Sequence, residues 1–219
     1  MFSRSIFFLL FILLTQFNGI AQSESSQNTF LKGRSGIDLH IGLYDNTGTT
    51  KISVAPEVIT TNASRGFMGA ISYQYWLEDY LSLGVSLGAL VINATISTQA
   101  TEISTETATV APLIIGINYY PLQASQQSTV LPYLSGYIGP YIGVYSRNEI
   151  ETTVVESETI VETAFGARLG AGLDFLIADI FKLGIGADYH FVTDFSRPIG
   201  GTTNYSGPSY SLTFGFVFN

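Results

Sequence analysis

The sequence predicts an all-β protein, an eight-stranded antiparallel up-and-down transmembrane β-barrel. Three observations predict it. Hydrophobic residues make up 46% of the 219 residues and charged residues only 12%, about half the ~25% charged fraction of a soluble domain. Apolar residues alternate with small or polar ones in eight separate runs, the period of half-buried strands. Long and short connections between the runs alternate too, as in a meander that crosses a membrane.

Charge and cysteine content exclude several classes of function. The chain has 17 acidic and 9 basic residues with no Lys or Arg cluster, so we expect no nucleic-acid partner, which would need a basic surface to neutralise phosphates. It has no Cys, which excludes disulfides, thiolate catalysis and Cys-ligated metal. We expect no cofactor and no metal site.

Residues 1–21 have the order of an export signal. Arg4 precedes the uninterrupted apolar run Ile6–Leu14, and small residues stand at Gly19 and Ala21. This order predicts a signal peptide that is cleaved after Ala21. The alternative, a membrane-anchoring helix, is disfavoured because the run is much shorter than the ~20 residues that span a bilayer. A polar lead, residues 22–34, follows.

The barrel is expected over residues 35–219. The alternating runs predict strands near 35–45, 66–76, 80–93, 109–120, 130–145, 163–175, 181–193 and 208–218. Long connections then fall at 46–65, 94–108, 146–162 and 194–207, and short ones at 77–79, 121–129 and 176–180. A sustained helical period is not found in any run.

The sixth and seventh strands give the strongest pattern. In 165–175 and 181–191, apolar residues occupy one face, and Gly or charged residues occupy the other. Folding the chain back about Ala178 places Arg168 opposite Asp188 and Asp174 opposite Lys182. Opposite charges across neighbouring strands stabilise a register. We therefore predict these four residues as two charge pairs on one face of the sheet.

The orientation of that hairpin decides the class of protein. In a soluble, lipocalin-like barrel the charged face would meet water, but that face is mostly glycine, a poor strand former. With the apolar face outward, Phe165 and Phe175 are separated by ~33 Å of strand, which a ~40° tilt reduces to ~25 Å, the height of a membrane barrel's apolar band. We predict that aromatic residues mark both membrane interfaces, and these are Phe165, Phe175, Phe181, Phe191, Phe214, Phe216 and Phe218.

The fifth strand is ambiguous by pattern alone. Either its Tyr and Gly residues or its aliphatic residues could face lipid, and we favour the aliphatic set outward. That set is Leu134, Ile138, Ile142 and Val144.

These features resemble the small eight-stranded outer-membrane β-barrel family, the porin-like proteins of OmpA and OmpX type. The resemblance rests on the Gly-rich alternation, on segments 112–121 and 131–136, and on the aromatic final strand. It implies export to the cell outer membrane, contact with outer-membrane lipid and surface glycolipid, and folding by the barrel-assembly machinery. Family members commonly end on an aromatic residue, whereas here Asn219 follows Phe218.

A barrel of eight strands has an interior that side chains can fill. The inward face would hold the two charge pairs together with Asp38, His40, Gln74 and His190. We expect a salt-bridged plug that holds the barrel rigid. The alternative is a narrow channel for small solutes or ions through the same charges.

Enzymatic activity is the least favoured function. His190 follows Asp188 by two residues on one face, but Arg168 competes for that carboxylate and the pattern singles out no nucleophile. We therefore expect no catalytic residues, although a lipid-modifying barrel enzyme stays an alternative.

The long connections 94–108 and 146–162 are rich in Thr, Ser and Glu. A plain solvated face is the simplest interpretation. Two others are a protruding sheet whose edges recruit a surface protein by strand addition, and carboxylates that bind divalent cations bridging surface glycolipid. The leading prediction is a non-catalytic protein with a structural or surface-interaction role.

Overall fold

The structure is a closed barrel of eight antiparallel strands in which each strand pairs with its neighbours in sequence and β8 pairs with β1. It is a computed structural model that describes residues 30–48, 65–99, 102–122, 130–151, 154–177 and 180–219. The predicted all-β up-and-down fold is confirmed. The strands are β1 (Ser35–Asp45), β2 (Arg65–Glu78), β3 (Leu81–Gln99), β4 (Glu102–Tyr119), β5 (Val130–Glu151), β6 (Val154–Ile177), β7 (Phe181–Val192) and β8 (Gly207–Phe218).

The predicted export signal lies outside the described residues. Across the described ranges, no helix is both long enough and apolar enough to cross a membrane.

Period-two alternation in the sequence becomes two faces of the barrel wall. On β1, Asp38 is fully buried while Ile41 is 53% exposed, and β8 alternates in the same way. Because outward positions are largely Leu, Ile, Val, Phe and Tyr, the outer surface suits hydrocarbon rather than water. On β5, Leu134 and Ile138 are exposed and Tyr137 and Tyr141 are buried, so the aliphatic set faces outward.

Two of the predicted connections are in fact strands. Residues 94–108 and 146–162 belong almost entirely to two long hairpins, β3–β4 and β5–β6. The sequence prediction ended these strands where the apolar residues stop, but backbone pairing continues through the Thr- and Glu-rich segments beyond them. Loss of hydrophobicity marks the limit of the apolar band, not the limit of the hydrogen-bonded ladder.

The extended hairpins form a four-stranded sheet at the barrel end opposite the chain termini. We call this end the distal end and the other the terminal end. Seven consecutive cross-strand rows run without interruption through residues 93–99, 102–108, 145–151 and 154–160, which we call the distal sheet. Its outer edges are β3 and β6, because β2 pairs with β3 only up to Val91 and β7 pairs with β6 only down to Gly166.

Candidate functional site: the barrel lumen and the distal sheet

A charged network crosses the lumen near the terminal end. Lys182 Nζ lies 2.9 Å from Asp38 Oδ2 and 3.2 Å from Asp174 Oδ2. Gln74 Nε2 donates to Asp38 Oδ2 at 2.6 Å, and the Tyr120 hydroxyl donates to Asp174 Oδ2 at 3.3 Å. One ammonium group therefore holds two buried carboxylates, each of which also accepts from a neutral donor. An arrangement of this kind limits the penalty of burying charge.

The predicted register of β6 and β7 is wrong by two residues. Asp174 faces Gly184 rather than Lys182, and Arg168 faces His190 rather than Asp188. A two-residue shift keeps every side chain on the same face. In this register Phe191 pairs with Ala167 and Phe181 with Ile177.

Glycine lies opposite four of the five buried charges, Asp38, Asp174, Lys182 and Asp188, which explains why their ion pairs are diagonal. The direct partner of Asp188 is Gly170, and a β-carbon there would overlap the Asp188 carboxylate. A charged side chain needs this space to lie across the neighbouring strand and reach a partner beyond its own row. The sequence prediction matched charge to charge, whereas the register matches Asp174 to Gly184 and Asp188 to Gly170.

A second layer of polar side chains lies on the distal side of the Lys182 network. Arg168 Nε is 3.8 Å from Asp188 Oδ1, and the guanidinium carbon lies 4.5 Å from the centroid of the Tyr137 ring. Ser135 donates to the same Asp188 oxygen at 3.3 Å. The space left between the two layers has a volume of about 20 Å³, which is enough for one or two water molecules.

The two histidines are both hydrogen-bonded on each ring nitrogen. His40 contacts the Ser72 hydroxyl at 2.8 Å and the Thr213 hydroxyl at 3.0 Å. His190 contacts the Tyr141 hydroxyl at 3.0 Å and the Ser209 hydroxyl at 3.1 Å. His40 thereby joins β1 to β2 and β8, and His190 joins β7 to β8 and, across β6, to β5.

The Ser209 and His190 pair does not have the geometry of a catalytic site. Ser209 is fully buried and the second His190 nitrogen faces a tyrosine rather than a carboxylate. A serine nucleophile needs both access to substrate and an oriented base. Across the described residues, no group of three or more His, Asp or Glu side chains is arranged to hold a metal ion.

An apolar cluster closes the lumen at the distal end. It includes inward residues of seven strands together with the β7–β8 connection, residues 193–206. Phe195, Ile199 and Tyr205 of that connection are buried within it. Tyr44 donates its hydroxyl to the Tyr205 carbonyl at 2.6 Å, and the Tyr205 hydroxyl donates to the Ile199 carbonyl. We call this connection and its three buried side chains the distal plug.

A smaller apolar cluster closes the terminal end. It is formed by Leu31 and Phe30 of the N-terminal lead packed against Trp76, Tyr120 and other inward residues. One carboxylate oxygen, Asp79 Oδ1, accepts from the backbone N–H groups of residues 30, 31 and 32 at 2.6–2.9 Å. We call residues 30–32 the terminal plug. Its sequence signal, two apolar residues in a polar lead, is too short to predict packing.

Several of the described groups outside the membrane-spanning part have shifted pKa values. Burial raises the pKa of the Tyr205 phenol. A hydrogen bond from Lys32 to Glu78 raises the pKa of the Lys32 ammonium, and a hydrogen bond to Asp45 raises that of the Arg65 guanidinium. The distal plug is therefore held by a phenol that keeps its proton at neutral pH.

The predicted interface aromatics lie on the outer wall. Phe165 and Phe191 are near its distal end, and Phe218 is at its terminal end beside Ser35. The full set is exposed or half-buried, and comprises Phe165, Phe175, Phe181, Phe191, Phe214, Phe216 and Phe218.

Charged residues of the distal sheet are mostly acidic. The register places Arg147 between Glu106 and Glu158 in one cross-strand row, with Arg147 Nε 3.5 Å from Glu106 Oε1. Arg197 Nε of the β7–β8 connection lies 3.4 Å from Glu162 Oε1.

Comparison with solved structures finds the same fold. A structure of Ail, the attachment invasion locus protein of Yersinia pestis, in complex with the heparin analogue sucrose octasulfate, is 13% identical, with a TM-score of 0.53 over 85% of this chain and 99% of that one. The outer membrane protein OprG from Pseudomonas aeruginosa is 12% identical, with a TM-score of 0.50 over 87% of this chain and 98% of that one. A comparison with curated protein sequences found no match.

The family comparison covers nearly the whole chain. Residues 9–218 match the family described as "Outer membrane protein beta-barrel domain". The predicted resemblance and the predicted location in the outer membrane are therefore confirmed. In barrels of this kind the turns at the periplasmic side are short and the outer connections long. The chain belongs to the outer membrane protein beta-barrel domain family.

Proposed function

We propose that this protein is a non-catalytic outer-membrane anchor whose distal sheet presents an acidic, strand-edged surface to other molecules outside the cell. The observation that carries this proposal is the length of the four central strands. β4 has 18 residues and β6 has 24, whereas ~9–11 tilted residues cross a bilayer. A chain with only a membrane-spanning role has no need of this additional sheet.

The charge of the sheet favours a cationic partner. Arg147 is the only Lys or Arg within segments 94–108 and 146–162, which otherwise carry Glu102, Glu106, Glu149, Glu151, Glu156, Glu158 and Glu162. Complementary charge raises the rate of encounter with a partner and rejects partners of like charge. The heparin analogue bound by Ail is a polyanion, which is the ligand charge that this acidic sheet disfavours.

The edges of the sheet support binding by strand addition. Residues 93–99 of β3 and 154–160 of β6 pair on one side only within the described structure. A free edge offers a row of backbone donors and acceptors to an extended segment of another protein. Outer-membrane lipid and surface glycolipid are the other partners we propose, with the barrel-assembly machinery acting during biogenesis.

A narrow channel is the second candidate. The polar side chains that fill the lumen from Asp174 to His190 favour a channel, because a conducting path needs groups that replace the hydration of an ion. The two plugs weigh against it, since each end of the lumen is filled by buried apolar side chains. A lipid-modifying enzyme is disfavoured by the burial of Ser209 and His190.

Removal of most of the β5–β6 half of the distal sheet, without disturbance of the barrel, tests the proposed role. In the truncated variant, residues 147–158 are replaced by Asn-Gly, which joins the paired residues Ser146 and Thr159 through a two-residue hairpin turn. Binding of a fluorescent oligolysine peptide to the nanodisc-embedded protein is measured at low and high salt. We expect salt-sensitive binding that the truncation abolishes.

A matched pair of substitutions separates charge from fold. The double variant Glu106→Gln/Glu158→Gln keeps the sheet and should weaken oligolysine binding. Glu78→Gln removes a carboxylate at the terminal end, far from the sheet, and should leave binding unchanged. Equal binding by the wild type and the truncated variant would contradict the proposal.

A further inference from the structure

A groove of about 550 Å³ lies on the outer wall of the barrel near its distal end. Its volume is within the range of small-molecule sites. Its lining is almost entirely apolar and comes from β5, β6, β7 and the two ends of the β7–β8 connection. The lining residues are Ile138, Phe165, Gly166, Ala167, Phe191, Val192, Thr193 and Ser206.

The register explains how the groove forms. Ile138, Ala167 and Phe191 occupy one cross-strand row on three adjacent strands, so the small side chain of Ala167 lies between two large ones. Phe165 lies two residues from Ala167 toward the distal end of β6. Its side chain is 63% exposed and forms the distal wall of the groove. Ala167 therefore forms the floor of the groove, and the larger side chains of Ile138 and Phe191 form its two side walls.

The walls of the groove are held in place. The backbone N–H of Phe165 donates to Thr193 Oγ1 at 3.0 Å, and the N–H of Thr193 donates to the Phe165 carbonyl at 2.9 Å. The centroid of the Phe191 ring lies 4.6 Å from the centroid of the Tyr189 ring. A groove with supported walls keeps its shape without an occupant, which lowers the cost of binding.

Polar atoms at the rim already have partners. The Thr193 hydroxyl donates to the Phe165 carbonyl, and Ser206 Oγ accepts from the Val192 N–H and donates to the Val192 carbonyl. The groove therefore offers little to a polar ligand and selects an apolar one.

The level of the groove in the membrane identifies that ligand. Ala167 is ten residues from Ile177 at the terminal end of β6, which is ~33 Å along the strand and ~25 Å along the membrane normal. This is the distal limit of the apolar band, beside the outer leaflet. We propose that the groove holds an acyl chain of the outer-leaflet glycolipid; the inference rests on the lipid and glycolipid contact proposed above.

Packing, not the hydrophobic effect, determines the occupancy. Inside a bilayer every acyl chain is already in an apolar surrounding, so the groove gains only van der Waals contacts. A groove that stayed empty would lose those contacts on all its walls. We therefore expect a modest preference over the plain wall, of about threefold, which corresponds to about 0.65 kcal/mol.

A photocrosslinker at the groove tests the proposal. Phe191 is replaced by p-benzoylphenylalanine, and Phe67, an outward aromatic at the distal end of β2, receives the same replacement as a control on plain wall. Nanodiscs contain lipid A in phosphatidylglycerol. After irradiation, mass spectrometry distinguishes adducts of the two lipids, and we expect the lipid A adduct at position 191 to exceed that at position 67 by about threefold.

Filling the groove supplies the matched control. Ala167→Phe, in the crosslinking protein, should reduce the lipid A adduct to the level at position 67, and Ala167→Leu should reduce it partially. Ala187→Phe adds the same bulk to an exposed wall position of β7 and should leave the adduct unchanged. Boiled and unboiled gel mobility verifies that each variant folds.

Two results would overturn the groove proposal. One is an equal lipid A adduct at positions 191 and 67, and the other is an adduct that Ala167→Phe does not reduce. A phosphatidylglycerol adduct that is enriched at position 191 over position 67, without enrichment of the lipid A adduct, would assign the groove to phospholipid and would equally overturn the glycolipid assignment. Loss of lipid A adducts at both positions would instead contradict the general glycolipid contact on which the inference rests.

Discussion

Lys182 and Asp38 lie on strands that are not neighbours, yet their charged atoms are 2.9 Å apart. Gly215 of β8 lies between them in the same cross-strand row, paired with Lys182 on one side and with Asp38 on the other. A side chain at position 215 would occupy the space that the ion pair uses. The contact therefore crosses the strand that closes the barrel, and a glycine makes it possible.

Gly215→Ala should destabilise the barrel by about 1–3 kcal/mol, because its β-carbon overlaps the Asp38 carboxylate and forces the ion pair apart. The measurement is urea unfolding in lipid vesicles. Gly69→Ala is the matched control, since a β-carbon there meets no atom closer than 4.0 Å. It should be neutral or slightly stabilising. Equal stability of the two variants would contradict a steric role for Gly215.

Lys182→Met should lower the free energy of unfolding by about 3–5 kcal/mol, because Asp38 and Asp174 are left buried without a counter-charge. Adding Asp38→Asn and Asp174→Asn to the same protein removes the uncompensated charge and should recover most of the loss. The same unfolding assay applies. A triple variant no more stable than Lys182→Met would show that the lysine acts mainly through packing.

Asp79→Ala should release the terminal plug, because it removes the acceptor shared by three backbone N–H groups. The chain has one tryptophan, Trp76, which is 1% exposed and packs in the cluster that the plug completes. We expect a red-shifted emission that soluble quenchers reach. Glu78→Gln removes only the exposed ion pair with Lys32 and should leave the emission unchanged; an unshifted Asp79→Ala spectrum would contradict this role of the plug.

Ile199→Ala should loosen the distal plug, because a fully buried side chain loses its packing at a cost of about 2–5 kcal/mol, concentrated in the connection rather than the barrel wall. The measurement is the rate of proteinase K cleavage within residues 194–204 on intact vesicles. Arg197→Ala, at an exposed position of the same connection, is the control. Faster cleavage in Arg197→Ala than in Ile199→Ala would contradict the anchoring role of Ile199.

The faces of the strands could be predicted from the sequence because the side-chain period of a strand is two. Asp174, Lys182 and His190 are buried on the side of the wall where the alternation places them. The register could not be predicted in the same way, since a shift of two residues preserves every face. Pairing charge with charge gave the wrong register, because Gly170 and Gly184 provide the space for Asp188 and Asp174.

The plugs were not predicted, and a protruding sheet was only one of three interpretations of the long connections, for a different reason. Phe195 and Ile199 stand in a connection rich in Gly, Pro and Thr, where two apolar residues carry no periodic signal. The distal sheet does alternate, but with Thr and Glu instead of apolar residues, so hydropathy ends the strands too early. Contacts between distant segments determine both features.

The central claim is that the lumen is closed by stacked polar and apolar layers, and single-channel recording in planar bilayers tests it most directly. We predict no conductance steps for the wild type. Regular wild-type steps whose amplitude changes in Lys182→Met would contradict the account and establish the lumen as a channel.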